Sequence, residues 1–144
     1  MLDEVLSDKG REELLHGRFV SHGTGLFKMT FEEKLFRGLK VVKTGLYVGD
    51  IKPLKSGKKV FEPSNSIALA LSKDAIKADS YLGLSRDDDR LTKYLRGETI
   101  SVSPEDGLKS SGTILVGIGD FPLGFAKING QTAKNMYPKA WRLI

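Results

Sequence analysis

TILVGIGDFPLGFAKING occupies residues 113–130 and contains two apolar segments separated by Gly119-Asp120. A glycine and an aspartate side by side are typical of a tight hairpin turn. We therefore predict a strand over 113–118, a turn, and a second strand over 122–128. Asn129-Gly130 is a second turn signal directly after that strand. A β-hairpin is thus the predicted centre of the C-terminal half.

The last 18 residues, which begin at Lys127 in the second predicted strand, combine positive charge with aromatic rings. They carry four bases and no acid, and Tyr137 and Trp141 lie among them. Bases for phosphates and rings for stacking are the composition that an unpaired nucleotide requires. Alternatively, the two rings, which lie next to Pro138 near the chain end, pack the C-terminus onto the domain. The bases are Lys127, Lys134, Lys139 and Arg142.

A second basic segment covers residues 37–60, where seven bases stand against Asp50 alone. The whole chain has 23 Lys and Arg against 18 Asp and Glu, a net charge of +5 that is concentrated in these two segments. Such segments attract phosphate backbones without reading their sequence. For Lys55–Lys59, a solvated loop is an equally good interpretation.

An acidic triplet, Asp87–Asp89, precedes a predicted helix over residues 90–96. Acidic side chains stabilise the positive N-terminal end of a helix, and Gly97 is suited to cap its C-terminus. A metal site is the competing interpretation, but consecutive helical side chains point about 100° apart and do not converge. The sequence therefore favours helix capping over metal binding.

The N-terminal half alternates short helical and extended patterns, which predict a small α/β unit over residues 24–84. The predicted elements are, in order, a short amphipathic helix or two turns broken at Gly10, a loop over 17–25, a helix from the Thr30–Glu33 capping box to Gly38, strands over 39–43 and 46–51, a basic loop over 53–59, a helix opened by Pro63 and Ser64 and running to Leu71, and a short helical stretch ending near Ala78.

Several kinds of chemistry are absent from the sequence. The chain has no cysteine, which excludes disulfides, thiolate metal sites and a cysteine nucleophile. His16 and His22 are the only histidines, and they have no partners at metal-ligand spacing. Gly117, Gly119 and Gly124 do not open a helix, so they form no dinucleotide-binding loop. We expect no catalytic site, metal, cofactor or membrane segment, and a cytoplasmic protein.

Four stretches together resemble the C-terminal region of the RsmF-like family of bacterial rRNA 5-methylcytosine methyltransferases. The stretches are GLKVVKTGLYVGDIK (Gly38–Lys52), FEPSNSIALAL (Phe61–Leu71), YLRGETISV (Tyr94–Val102) and ILVGIGDFPLGFAKINGQTAKNMYPKAWR (Ile114–Arg142). The resemblance implies an intermediate domain followed by a PUA-like RNA-binding domain. The family's catalytic domain binds S-adenosylmethionine and uses a cysteine, and neither feature is found in this sequence.

The expected fold is therefore α+β: a small α/β unit followed by a PUA-like β-barrel with short helices. The expected units are an N-terminal helical or linker segment (1–23), the intermediate domain (24–84) and the PUA-like domain (85–144). The leading hypothesis is a non-catalytic RNA-binding module that recognises rRNA for a catalytic methyltransferase domain. The alternative is a freestanding protein-interaction module that docks an acidic or ribosomal partner; an enzyme in its own right is disfavoured.

The predicted RNA contacts lie mainly in the C-terminal segment. Four bases are expected to contact phosphates, Asn135 could offer its amide to a base edge, and Tyr137 could stack on a base. Lys43, Lys52 and Trp141 are weaker candidates. The main candidates are Lys127, Lys134, Asn135, Tyr137, Lys139 and Arg142.

Overall fold

The computed structural model describes residues 2–29, 38, 40 and 45–144 and has an α+β fold. The predicted capping-box helix, the strand over 39–43 and the candidate Lys43 lie outside the described residues. The helices are α1 (Leu2–Val5), α2 (Asp8–Leu15), α3 (Asn65–Ala70) and α4 (Asp89–Leu95). The strands are β1 (Phe19–His22), β2 (Gly25–Lys28), β3 (Leu46–Pro53), β4 (Lys59–Pro63), β5 (Tyr81–Leu84), β6 (Ile100–Ser101), β7 (Ser111–Ile118), β8 (Phe121–Asn129) and β9 (Thr132–Asn135).

The first sheet is antiparallel, with the strand order β1-β2-β3-β4. The loop predicted over residues 17–25 is wrong, because β1 and the start of β2 form a hairpin there. Gly23 makes the turn possible with a φ of 61°, a left-handed conformation that glycine adopts without strain. The predicted strand over 46–51 is confirmed as part of β3, and the basic loop separates it from β4.

The second sheet has the order β5-β7-β8-β9-β6, and only the β5–β7 pair is parallel among the strands described. The predicted hairpin is confirmed as β7 and β8, with Gly119 in the turn at a φ of 54°. Gly130 turns the chain from β8 into β9 with a φ of 59°. Both predicted turns thus set the register of this sheet.

Two apolar clusters hold these layers together. One joins the sheets, because Val48 of β3 and Ile67 of α3 pack with Leu115 and Phe125 of the second sheet. The other lies on the opposite face of the second sheet, where Tyr94 of α4 covers Ile114 and its neighbours. The second sheet is therefore covered on one face by α4 and partly covered on the other by α3.

The N-terminal segment forms two helices, and the predicted break at Gly10 is wrong. The chain turns instead at Leu6–Ser7, where the Ser7 hydroxyl accepts a hydrogen bond from the N–H of Gly10 over 3.1 Å. Gly10 lies inside α2 because the helix approaches the backbone of Ala75 so closely that no side chain fits. A tertiary contact, and not helix termination, thus requires this glycine.

The acidic triplet caps α4 as predicted. Asp88 is the N-cap and accepts a hydrogen bond from the N–H of Arg90 over 2.9 Å. The Arg90 guanidinium also bonds Asp106 of a following 3-10 turn. We call Asp88, Arg90 and Asp106 the arginine clamp. Within the described residues, no group of three acidic or histidine side chains is placed to hold a metal ion.

The segment from Ser72 to Ser80 forms two short 3-10 turns, Lys73–Ala75 and Ala78–Ser80, where the sequence predicted one short helical stretch. Ser64 caps the N-terminus of the preceding helix, α3, and thus opens it as predicted; its hydroxyl accepts a hydrogen bond from the N–H of Ser66. In the described part of the chain, no helix is long and apolar enough to span a membrane.

Candidate nucleic-acid interface

Lys127 and Lys134 form a pair of exposed cations on the second sheet. They stand directly opposite each other on β8 and β9, so their side chains leave the same face of the sheet. Among the described residues, neither ammonium group has a hydrogen-bond or ion-pair partner. Like charges opposite each other are destabilising in a sheet, and a bound anion would relieve that repulsion. We call these two residues the lysine pair.

The lysine pair lies at the edge of a covered surface. Side chains alternate along a strand, so Lys127 shares its face with Phe125, which is buried under α3. Two residues further along β8, at Lys127, α3 no longer covers this face and the side chain is exposed to solvent. The pair is therefore accessible on a rigid strand support.

Asn135 has a structural role in the protein. Its amide nitrogen donates to the carbonyl oxygens of Tyr94 at 2.7 Å and Glu98 at 3.1 Å, and its oxygen accepts from the N–H of Tyr137 at 2.7 Å. These bonds tie β9 to the C-terminal end of α4. The predicted contact with a base edge would require breaking them.

Three aromatic rings lead from the core to the surface near the chain end. Tyr94 is fully buried, and its ring lies 5.5 Å from that of Tyr137 between centroids. The Tyr137 ring lies 6.1 Å from that of Trp141, at an interplanar angle of 73°. Trp141 remains 45% exposed. Tyr137 thus packs against the core as well as the indole, and Trp141 is the ring with the accessible surface.

Gly124 of the PLGFAK segment makes room for these rings. A methyl group at this position would lie 2.6 Å from the Tyr94 hydroxyl oxygen and 3.1 Å from the Tyr137 ring. The Tyr94 hydroxyl donates to the carbonyl of Phe125 over 3.0 Å, and burial raises the pKa of this hydroxyl, which therefore stays protonated. The buried end of the ring series is thus fixed.

The C-terminal segment packs on the end of α4 through Arg142. The Arg142 guanidinium occupies the space beside Gly97 that a side chain there would take, and it donates two hydrogen bonds to the carbonyl of Tyr137, from Nε at 3.3 Å and Nη2 at 3.1 Å. The N–H of Leu143 also bonds the carbonyl of Leu95 over 3.0 Å. The chain end is therefore part of the folded domain.

This packing adds two cations that the sequence analysis missed. Lys93 lies in the last turn of α4 and Arg96 directly follows the helix, and both are exposed. Arg142 packs on the adjacent Gly97, and Lys139 is exposed three residues before Arg142. Residues 91–126 have a slight acidic excess, so composition gave no signal for them. Only the tertiary structure shows that the C-terminal end of α4 lies beside the distant C-terminal segment. We call Lys93, Arg96, Lys139 and Arg142 the terminal cations.

Lys52 in the first sheet is engaged with an acid. Its ammonium forms an ion pair with Glu62 on the neighbouring strand β4, and the hydrogen bond to Glu62 raises the pKa of Lys52. Both side chains are exposed, so the pair is weak and could exchange for a phosphate. Lys52 lies on β3 of the first sheet, whereas the lysine pair lies on β8 and β9 of the second sheet. Glu62 also partly neutralises the charge of Lys52.

Comparison with known families divides the chain in two. Residues 5–71 match the family model described as the RsmF rRNA methyltransferase first C-terminal domain. Residues 82–143 match the model described as the Methyltransferase RsmF PUA domain. The chain carries the two C-terminal domains of the RsmF-like methyltransferase family. No curated protein matches the chain.

The RsmF PUA domain contains most of the candidate contacts. The lysine pair, the terminal cations and Trp141 fall within residues 82–143, whereas Lys52 falls in the first C-terminal domain. The predicted boundary between residues 84 and 85 stays a prediction; β5, which precedes it, pairs with β7 of the PUA domain. Both matched models describe C-terminal domains, and the chain has no cysteine.

Proposed function

We propose that this chain is a non-catalytic RNA-binding region that presents rRNA to an RsmF-like cytosine-5 methyltransferase. The observation that carries the proposal is the lysine pair, two adjacent exposed cations without a partner among the described residues. The matches to two RsmF C-terminal domains support the same function. In this proposal, a catalytic methyltransferase domain performs the methyl transfer, and the setting is the bacterial cytoplasm.

The chemistry of the surface favours phosphate binding. Exposed lysines and arginines attract the RNA backbone without regard to sequence, and contacts to phosphates set the position of the strand. Lys127 and Lys134 stand on a strand pair whose register is fixed by hydrogen bonds, so both charges are held at one place. The terminal cations add four charges in the same domain. The PUA domain thus offers more than one phosphate contact.

Removing the lysine pair tests the proposal. We expect the Lys127→Gln, Lys134→Gln double variant to bind a labelled rRNA fragment about 10-fold more weakly near physiological salt, because two phosphate contacts are lost. Fluorescence anisotropy measures the affinity. The matched control is Lys55→Gln with Lys58→Gln, which removes the same charge from the exposed turn between β3 and β4.

The control separates a local contact from the effect of net charge. The control variant should bind RNA within about 2-fold of the unmodified chain at this salt concentration. Equal weakening in both double variants would contradict a specific role for the lysine pair.

An acidic protein surface would also attract these cations. If RNA is the partner, complexes captured from a cell extract should be lost on ribonuclease treatment. Their survival would favour the protein-interaction alternative.

A further inference from the structure

We propose that Trp141 is a stacking platform for the base of one unpaired RNA nucleotide, flanked by the terminal cations that hold its phosphates. This inference rests on the proposed RNA-binding function and adds the class of RNA that the PUA domain takes. The indole is 45% exposed, although it belongs to an aromatic series that begins in the core. Its T-shaped contact with Tyr137 is its one contact with another aromatic ring among the described residues.

The platform is fixed before RNA arrives. Tyr137 packs between Trp141 and the buried Tyr94, and its backbone is held at both ends, with its N–H bonded to Asn135 and its carbonyl to Arg142. The N–H of Trp141 itself donates to the carbonyl of Pro138 over 3.0 Å. Ordering of side chains on binding opposes affinity, so a ring held in advance binds a base at lower cost.

Cations lie on both sides of the indole in the sequence. Lys139 begins the 3-10 turn that contains Trp141, and Arg142 follows the turn directly. Arg142 donates from Nε and Nη2 to Tyr137, which leaves Nη1 without a partner among the described residues. Arg96 lies beside Gly97, on which Arg142 packs. Proteins bind single-stranded RNA with such a combination of an aromatic ring for the base and cations for the phosphates.

An unpaired nucleotide fits this arrangement better than a duplex does. Bases in an A-form helix are already stacked on each other, and their major-groove edges are out of reach of side chains. Only a base in a loop, bulge or free end can leave its neighbours and lie on the indole. The platform therefore selects for unpaired nucleotides, while the lysine pair binds phosphates of either kind of RNA.

In the part of the chain that the structure describes, the most exposed aromatic side chain apart from this platform is Phe121, and its surroundings differ. Phe121, at the tip of the β7–β8 hairpin, is 78% exposed beside an open groove of about 870 Å³. The cation at this groove, Lys73, is paired with Asp120 over 2.6 Å. Since the charge of Lys73 is neutralised, this groove has no free lining cation among the described residues, whereas Lys139 and Arg142 adjoin Trp141 in the sequence.

The experiment uses the intrinsic fluorescence of the chain, because Trp141 is its only tryptophan. The unmodified chain is titrated with a short unlabelled RNA strand of mixed sequence, and with the duplex of that strand with its complement. Anisotropy of fluorescein-labelled versions measures binding separately. We expect the single strand to quench the tryptophan emission at saturation, and the duplex to bind with little quenching.

Substitutions at the platform provide the second readout. Trp141→Ala and Trp141→Leu should weaken single-strand binding by about 5- to 150-fold, the range found for loss of one stacked base. Trp141→Phe should retain most of the affinity, and none of the three should change duplex binding by more than about 2-fold. Circular dichroism and thermal unfolding establish that each variant is folded.

The outcomes distinguish this inference from the function on which it rests. If neither RNA binds, the proposed function fails and the inference fails with it. If RNA binds while the tryptophan emission is unchanged, or if Trp141→Ala weakens single strand and duplex equally, the inference alone is overturned. Quenching by the single strand together with a selective loss in Trp141→Leu supports it.

Discussion

Replacing Arg90 by methionine is expected to lower the free energy of unfolding by about 3 kcal/mol at pH 7. The guanidinium of the arginine clamp lies 2.8 Å from a carboxylate oxygen of Asp88 and 2.8 Å from one of Asp106. These acids are only 23% and 12% exposed, so without Arg90 they would be left poorly hydrated and without a countercharge. Denaturant unfolding at pH 7 measures the change.

The same variant is expected to reverse the dependence of stability on acid. The hydrogen bond from Arg90 lowers the pKa of Asp88. Burial acts to raise the pKa of Asp106, but hydrogen bonds from Arg90 and Ser103 outweigh it, so this pKa also lies below its ordinary value. A lowered pKa stabilises the folded state above the unfolded pKa of about 4, and this stability is lost as the pH falls through the folded value. The native protein should therefore lose stability below about pH 4.

In the Arg90→Met variant, burial and mutual repulsion raise the pKa of both carboxyls. The free energy of unfolding should therefore increase as the pH falls from 7 to about 4. The control is Arg86→Met, the same chemical change at an exposed position in the preceding loop. It should change the free energy of unfolding by less than about 0.5 kcal/mol. Equal stability of the two variants would contradict the clamp.

Replacing Gly10 by alanine is expected to destabilise the protein by about 2–3 kcal/mol. In an exposed helix, the same change stabilises by about 1 kcal/mol, so the sign is reversed here. The added methyl group would overlap the carbonyl oxygen of Ala75. That carbonyl cannot retreat freely, because it accepts a hydrogen bond from the N–H of Ser7 over 3.0 Å.

Glu12→Ala provides the control for helix propensity, since Glu12 is exposed on the same helix. Its effect on the free energy of unfolding should lie within about 0.5 kcal/mol. Thermal or denaturant unfolding compares the two variants. A Gly10→Ala variant that is more stable than the unmodified chain would show that α2 does not dock on the 73–75 turn as described.

Local signals in the sequence were sufficient where a few neighbouring residues determine the structure. The Gly119-Asp120 and Asn129-Gly130 turns, the Ser64 cap of α3 and the Asp88 cap of α4 are confirmed. Each depends on backbone conformation or on a hydrogen bond within a few residues. The hairpin of β1 and β2 was missed because its strands are short and lack a clear apolar alternation.

Contacts between distant segments could not be predicted from one sequence. Gly10 resembles a helix terminator until Ala75 is placed against it. Asn135 resembles a free polar side chain until its bonds to α4 are seen. Lys93 and Arg96 join the interface only because the C-terminal segment folds back beside them. The candidate charges of the C-terminal segment were found from composition; their arrangement required the fold.

The salt dependence of RNA binding tests the central claim most directly. The affinity of the unmodified chain for a single-stranded rRNA fragment should be measured from low to moderate salt. Six phosphate contacts, from the lysine pair and the four terminal cations, predict a slope of about −4 for the logarithm of the binding constant against the logarithm of the salt concentration. Binding that is absent at low salt, or that does not change with salt, would contradict the account.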